Sequence, residues 1–174
     1  TNIPLNPTLL AGKKLFNSAS SPVLTNDNWI SCATCHFDGM MDSRTWLGFP
    51  DGPRNTPSLF DIAQTMPMHW SGDFDELQDV EITIQKIQFG KGLTGKTAHD
   101  SLGEPHVGIS AELDALAAYL ASLDGPSSPY TSEKDVIAMG KSVFGELNCQ
   151  TCHTPPFYTD HKLHDVGTGD HKKE

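Results

Sequence analysis

Positive charge is scarce in this 174-residue sequence, in which 12 Lys and Arg stand against 22 Asp and Glu for a formal net charge of −10 at pH 7. The negative field of such a chain repels phosphates, which argues against nucleic acid or an anionic membrane as its main partner. Long apolar runs are also missing, since no stretch approaches the roughly 20 apolar residues of a membrane-spanning helix. The composition therefore favours a partner with a basic surface, or simply a surface that stays soluble.

Cysteine and apolar side chains are few as well. Only 37% of the residues are hydrophobic, which is low for a self-sufficient core, and 15 Gly with 12 Pro indicate long loops. All four cysteines belong to two C-x-x-C-H runs, so none is left over for a disulfide. The runs are Cys32-Ala33-Thr34-Cys35-His36 and Cys149-Gln150-Thr151-Cys152-His153.

The C-x-x-C-H run is the attachment signature of a c-type haem. Its two thiols become thioethers to the haem vinyl groups, and the following imidazole, His36 or His153, takes the proximal iron position. In zinc ribbons, C-x-x-C pairs recur within about 15–20 residues, much closer than these two, and a thioredoxin-like pair needs a βαβ setting that the flanks do not predict. We therefore predict two covalently attached haem c groups, which would also supply the core that the chain lacks.

The same motifs predict a compartment. Covalent haem attachment takes place outside the bacterial cytoplasm, so we expect a periplasmic or extracellular protein. No signal peptide is present, and a first residue of Thr1 is typical of a mature, processed or truncated chain. We therefore expect that a signal peptide has been removed.

An internal repeat organises the chain. The runs 11–16 and 139–144 share a G-K-x-apolar-F pattern and each precedes one haem motif, the first after a loop-like insertion at 17–29. We predict an all-α fold with long loops: a class I cytochrome c-like domain over residues 1–124, a linker at 125–131 and a partial second domain over 132–174. Too few residues follow His153 to enclose the second haem, so a longer chain or another subunit would have to complete that site.

Three further helices are predicted, and no strand pattern competes with them. One covers residues 73–89, with Leu77, Val80, Ile84 and Ile87 on one apolar stripe. Another covers residues 111–123 with Ser110 as its N-cap, and a third begins with a capping box at Ser132.

The motifs together resemble the bacterial dihaem cytochrome c peroxidase and MauG superfamily. The resemblance runs from about Leu10 to Gly169 and is carried by the two C-x-x-C-H runs and by the runs R-N-T-P-S-L at 54–59, P-M-H-W-S-G-D at 67–73, Y-T-D at 158–160 and H-D-V-G at 164–167. It implies paired class I-like haem domains that exchange electrons, often with a calcium ion between them. Members normally continue well past the H-D-V-G-T-G run, and this chain lacks that continuation.

Three departures from the family pattern bear on activity. Peroxidase members have a releasable distal histidine shortly before the R-N-x-P run, but residues 42–53 contain none. The family's Gln and Glu over the open iron correspond only imperfectly to Gln78 and Glu81, and Ile84 stands where high-potential domains have a Met. The peroxidase pattern is therefore incomplete.

The sixth iron ligands remain open at this point. For the first haem, His69 is the first candidate because it precedes Trp70, where family members have an aromatic residue in the distal pocket. His106 is a rival because it lies in the loop before the closing helix, and Met68 and Met66 follow. For the second haem, His164 or His161 are candidates, as is a ligand from elsewhere.

Two roles are open for Trp70. The simpler and favoured one is that its side chain packs on the haem, and the alternative is that it relays electrons. Asn55 and carbonyls near Thr65 and Pro67 resemble parts of the calcium site that the family builds from two domains. The other parts of that site are missing here, so we do not predict a bound calcium ion. His99 and His171 are expected to be surface residues.

The main functional hypothesis is a dihaem electron carrier with a redox protein partner. The alternative is a hydrogen peroxide reductase of the cytochrome c peroxidase type, or a fragment or subunit of one. A third hypothesis is a repeating subunit, such as a homo-oligomer, whose haems stack across interfaces.

Overall fold

The computed structural model describes residues 5–49, 52–98 and 100–167, so His99 and His171 lie outside the described residues. It divides after Gly125 into an N-terminal and a C-terminal unit. None of the helices in the described part is long and apolar enough to cross a membrane. Helix is the main regular secondary structure of the described residues in both units, which confirms the predicted fold class in its coarse form.

The described residues of the N-terminal unit form four α-helices, a minimal hairpin and several short 3₁₀ turns. The helices are α1 (Pro7–Asn17), α2 (Cys32–Cys35), α3 (Val80–Lys86) and α4 (Ala111–Ala121), and the hairpin pairs β1 (Thr45–Trp46) with β2 (Arg54–Asn55) in antiparallel register. The 3₁₀ turns are Asn26–Asn28, Phe37–Gly39, Ile62–Gln64 and Leu77–Asp79. The C-terminal unit contains α5 (Lys134–Glu146) and a 3₁₀ turn at Cys149–Thr151. The hairpin is a feature that the sequence patterns did not predict.

Helices α1 and α4 form the framework of the N-terminal unit. They cross where Gly12 meets Ala115, so closely that a Cβ at Gly12 would overlap the Ala115 carbonyl oxygen. One turn further on, the rings of Phe16 and Tyr119 meet edge to face with centroids 5.3 Å apart. The predicted N-cap is confirmed, since Ser110 Oγ accepts a hydrogen bond from Leu113 N at 3.3 Å.

The apolar core fills the space between these helices and α3. Its buried members come from α1, from both predicted apolar faces and from two loops: Phe16, Leu24, Ile84, Leu93, Leu113, Leu116 and Leu120. Leu77 and Val80 of the predicted stripe pack against this core. The periodicity therefore identified the buried faces correctly.

Two predicted helix boundaries are wrong. The helix predicted for 73–89 is α-helical only over Val80–Lys86. Before it, Asp79 Oδ2 accepts hydrogen bonds from the backbone N–H groups of Asp75 and Glu76, which holds a tight turn instead. After it, Phe89 adopts a left-handed φ of 55°, which ends the helix.

The start of α5 also differs from the prediction. The helix begins at Lys134, and its N-cap residue Glu133 makes no side-chain capping bond. The capping box predicted at Ser132 is therefore absent.

Candidate haem site

A large cavity opens beside the first C-x-x-C-H run. Its volume is about 450 Å³, within the range of roughly 300–1,000 Å³ that small-molecule and cofactor sites occupy. Cys32, Cys35 and His36 line it, together with apolar side chains of α1, α3 and α4 such as Phe16, Val80 and Leu116. Two thiols and an imidazole in an apolar cavity are the donor set that a covalently bound haem requires, so the residues present fit that group.

The first run is folded as one compact helical turn. Ser31 and Thr34 cap it mutually, with Thr34 Oγ1 accepting from Ser31 N at 3.0 Å and the two hydroxyl oxygens 3.2 Å apart. His36 N donates to Cys32 O at 2.9 Å, which closes the turn. This turn brings the two thiols and the imidazole to the same cavity, as the spacing of the motif predicts.

The raised pKa values of the Cys32 and Cys35 thiols are compatible with a haem-attachment site and are unlike those of redox-active thiolates. Burial raises the pKa of Cys32, although Gln88 Nε2 lies 3.7 Å from its sulfur and acts in the opposite direction. Burial, and then the neighbouring Asp42, raise the pKa of Cys35. Both side chains are therefore thiols at neutral pH, unlike the low-pKa cysteines of redox-active pairs.

The pKa of His36 is lowered, mainly by burial. Backbone hydrogen bonds to Met40 and Pro57 oppose this shift, while the nearby charge of His69 adds to it. The imidazole is therefore neutral at pH 7, which is the form that binds iron.

His69 lines the same cavity as His36. It lies in a loop at 68–74 that is closed by a hydrogen bond from Met68 N to Phe74 O at 2.9 Å. Its ring packs on Phe74 with centroids 3.8 Å apart, and its Nδ1 lies 3.1 Å from Asp73 Oδ1. The structure thus brings the first sequence candidate into the cavity. Met68, the third candidate, also lines it and is buried.

Trp70 contributes to the wall of the cavity while its side chain remains 63% exposed. Its indole Nε1 donates to Asn55 O at 2.9 Å, which fastens the 68–74 loop to strand β2. The amide of Asn55 donates to Arg44 O and to Thr45 Oγ1, at 3.3 and 3.0 Å, so its side chain is used inside the hairpin.

His106, the rival candidate, is not among the described residues that line the cavity. It is 1% exposed, and its Nδ1 lies 3.0 Å from Asp79 Oδ1 and 3.5 Å from Glu76 Oε1. Burial, and then the charge of Glu76, raise the pKa of Asp79, against hydrogen bonds that lower it. These contacts join the loop before α4 to the turn before α3 through a buried imidazole–carboxylate cluster.

Gln78 and Glu81, the two candidate peroxidase residues, also lie outside the described lining of the cavity. Gln78 Nε2 donates to Asp114 Oδ1 at 2.9 Å. Glu81 is fully buried and accepts hydrogen bonds from Leu93 N and Thr94 N at 2.9 and 3.1 Å. Both side chains are used to hold the fold together.

The second C-x-x-C-H run forms a similar turn in the C-terminal unit. His153 N donates to Cys149 O at 3.0 Å, as His36 N does to Cys32 O. His153 Nδ1 lies 3.0 Å from the carbonyl oxygen of Tyr158, which fixes the proton on Nδ1 and leaves Nε2 as the nitrogen that can bind a metal. The candidate His164 pairs through Nε2 with Asp160 Oδ2 at 2.9 Å.

Sequence reasoning missed Asp73. It lines the cavity and contacts His69, four residues before it. The spacing of four residues between the two was the signal in the sequence. It is too common to single this pair out without the structure. Sequence reasoning also did not identify Arg54 and Lys86 as cations of the lining.

Known proteins are similar to this chain along most of its length. The family described as di-haem cytochrome c peroxidase matches residues 8–91. The methylamine utilization protein MauG of Methylorubrum extorquens is 26% identical, over 94% of this chain and 54% of that protein. The cytochrome c551 peroxidase of Pseudomonas aeruginosa is 26% identical, over 82% of this chain and 49% of that protein. This chain therefore spans about half the length of these curated relatives.

A solved structure shares the fold. It is a chain of Kuenenia stuttgartiensis hydrazine synthase pressurized with 20 bar xenon, with a TM-score of 0.64 at 21% sequence identity. The match covers 96% of this chain and 56% of that chain.

Proposed function

Because the chain belongs to the dihaem cytochrome c peroxidase and MauG superfamily, we propose that it is a dihaem c-type cytochrome that transfers single electrons outside the cytoplasm. The observation that supports this most is the shared cavity of His36 and His69, which offers an imidazole on the attachment turn and another on the 68–74 loop. Two strong axial ligands close the iron to substrates and leave electron transfer as its chemistry.

In this proposal the chain's own residues hold the first haem in a largely apolar cavity. Cys32 and Cys35 would bind it covalently, and His36 and His69 would coordinate its iron. The haem supplies a one-electron redox couple when bound. The apolar side chains of the lining would pack against the haem, and the cations Arg54 and Lys86 suit its propionates.

The second haem is assigned to Cys149, Cys152 and His153 on the same chemical grounds. The carbonyl of Tyr158 orients the His153 ring for coordination through Nε2. His164 remains the candidate sixth ligand in this unit, although coordination through its Nε2 would require its contact with Asp160 to break. A further segment of the full protein or a second subunit would then complete this site.

The proposed partner is a redox protein with a basic docking surface, since the formal charge of −10 would become more negative with the haem propionates. Long-range attraction between opposite charges raises the rate of encounter, and this effect weakens as salt is added.

The decisive experiment is an absorption spectrum of the holoprotein with single ligand variants. The wild type should show only low-spin haem in both redox states, unchanged by peroxide or cyanide. His69→Ala should convert one of the two haems to high spin, whereas Met68→Leu should not. If Met68→Leu produces the high-spin haem and His69→Ala does not, the sixth ligand is Met68; if neither changes the spectrum, the ligand lies elsewhere.

Reduction of hydrogen peroxide is the second candidate function. The Pseudomonas relative is named a peroxidase, and the His69 side chain is 44% exposed beside Asp73, an arrangement able to move protons. This candidate requires a first haem that opens when the protein is half reduced. High-spin signal in that state together with peroxide turnover would support it and overturn the electron-carrier proposal.

A further inference from the structure

We infer that Asp73 is the positioning residue for the sixth-ligand histidine of the first haem: its carboxylate fixes the His69 tautomer and strengthens the imidazole as an iron ligand. The inference rests on the proposed role of His69. It goes beyond that role by assigning a second residue, one that never touches the haem iron, to the control of the site.

The hydrogen bond between the two side chains determines which nitrogen can bind a metal. His69 Nδ1 lies 3.1 Å from Asp73 Oδ1. An ionised carboxylate can only accept, so the shared proton belongs to Nδ1. The lone pair is then on Nε2, and this nitrogen is the one available to a metal. The same logic applies to metal-binding histidines in general, whose second nitrogen donates to a carboxylate or carbonyl.

The loop holds both partners in place. Asp73 Oδ1 also accepts a hydrogen bond from Ser71 Oγ at 3.2 Å. His69 adopts a left-handed φ of 67°, and Gly72 N donates to His69 O at 3.2 Å. Left-handed backbone is unusual for a residue other than glycine and persists where the surroundings require it. The ring of His69 is further fixed by Phe74, which is almost completely buried.

A solvent-exposed ion pair is the competing explanation. The two side chains are 44% and 43% exposed, and pairs of that kind contribute only about 0–1 kcal/mol to stability. That explanation gives Asp73 an effect on stability at most. The positioning role differs because it gives Asp73 an effect on the electronic properties of the haem.

The physical consequence is a shift in reduction potential. A carboxylate that accepts a hydrogen bond from Nδ1–H increases the electron density on Nε2, which favours ferric over ferrous iron. Loss of such a partner costs about 10–100-fold in metal binding. A tenfold change in the relative binding of the two oxidation states corresponds to about 59 mV for a one-electron couple.

The test compares Asp73→Asn with Asp75→Asn in the holoprotein. Asp75 is exposed and two residues away, so its variant makes the same change in net charge without touching His69. We expect Asp73→Asn to raise the potential of the first haem and to make its spectrum respond to cyanide, whereas Asp75→Asn should remain unresponsive to cyanide, as the wild type is. Asp73→Glu should restore part of both properties. Equal shifts in the two Asn variants would overturn the inference.

His69→Ala separates this inference from the proposal on which it rests. If His69→Ala leaves both haems low-spin, His69 is not the ligand, and the proposed coordination and the role of Asp73 both fail. If His69→Ala creates a high-spin haem but Asp73→Asn behaves like Asp75→Asn, only the role of Asp73 fails. Should Asp73→Asn fail to fold, a second experiment decides whether Asp73 is a positioning residue. It measures the affinity of added imidazole for His69→Gly and for His69→Gly/Asp73→Ser. If Asp73 is a positioning residue, imidazole should bind about tenfold more tightly when the carboxylate is present; if Asp73 is only structural, the two affinities should be equal.

Discussion

Gly12 and Gly140 occupy the same position in the two copies of the repeat but have opposite surroundings. The backbone of α4 crosses α1 directly over Gly12, where an added Cβ would overlap the Ala115 carbonyl oxygen. A Cβ added at Gly140 would meet no described atom within 4 Å other than its chain neighbours and the backbone of its own helix. The repeated glycine is thus required by packing in the N-terminal unit, whereas within the C-terminal unit no described contact requires it.

This difference predicts opposite effects of the same substitution. Gly12→Ala should destabilise the N-terminal unit by about 1–3 kcal/mol, because the two helices must move apart to admit a methyl group. Gly140→Ala should stabilise α5 by about 0.5–1 kcal/mol, because alanine restricts the unfolded chain and favours helix. Urea unfolding followed by circular dichroism measures both. Equal losses in the two variants would show that α5 is also packed at Gly140.

A second prediction concerns the buried carboxylate Glu81. It accepts hydrogen bonds from Leu93 N, Thr94 N, Thr94 Oγ1 and Gln85 Nε2, and so fastens the loop after α3. Glu81→Gln replaces one acceptor oxygen by an NH₂ group that faces other donors. We expect a loss of about 2–3 kcal/mol in stability, and no loss with Glu104→Gln at an exposed site.

The same variant distinguishes structure from catalysis. Because Glu81 lies outside the described lining of the cavity, the haem spectrum of folded Glu81→Gln should match the wild type. A specific loss of peroxide turnover in a variant of unchanged stability would instead show that Glu81 is a proton-transfer group.

The third prediction is a pH dependence centred on Asp42. Burial acts to raise its pKa, but hydrogen bonds from Arg44 N at 3.0 Å and Trp46 Nε1 at 2.8 Å prevail and lower it. A carboxyl whose folded pKa is lowered stabilises the protein above its unfolded pKa of about 4. That contribution is lost as the pH falls through the folded value.

Asp42→Ala should therefore be less stable than the wild type at pH 6, and the difference should shrink between pH 4 and pH 2. The midpoint of urea unfolding, measured for both proteins across this range, provides the comparison. A difference that stays constant down to pH 2 would mean that the ionisation of Asp42 does not contribute. Asp27→Ala, at an exposed carboxyl, controls for the general effect of acid.

Particular residues show what the sequence could predict. Ser110 and the leucines of α4 predicted that helix well, because a cap and an apolar face are local properties of the chain. The ends of α3 could not be predicted, because they depend on the hydrogen bonds of Asp79 and on the left-handed Phe89. His106 was chemically plausible as a ligand, but its burial against Asp79 involves residues 27 positions apart.

Removal of one haem should unfold the N-terminal unit. A closed apolar cavity left empty costs about 24 cal/mol per Å³, so for a cavity of about 450 Å³ that is open on one side the loss has an upper limit on the order of 10 kcal/mol. That is comparable with the entire stability of a typical domain.

The double variant Cys32→Ala/Cys35→Ala should therefore lose the mass of one haem together with the cooperative unfolding of this unit. Cys149→Ala/Cys152→Ala should lose the mass of one haem and leave that transition in place, because the cavity is built from residues of the N-terminal unit. If the haem-free N-terminal unit still unfolds cooperatively, the cavity collapses without its haem. The unit would then fold without the haem, and the haem would not be needed for its stability.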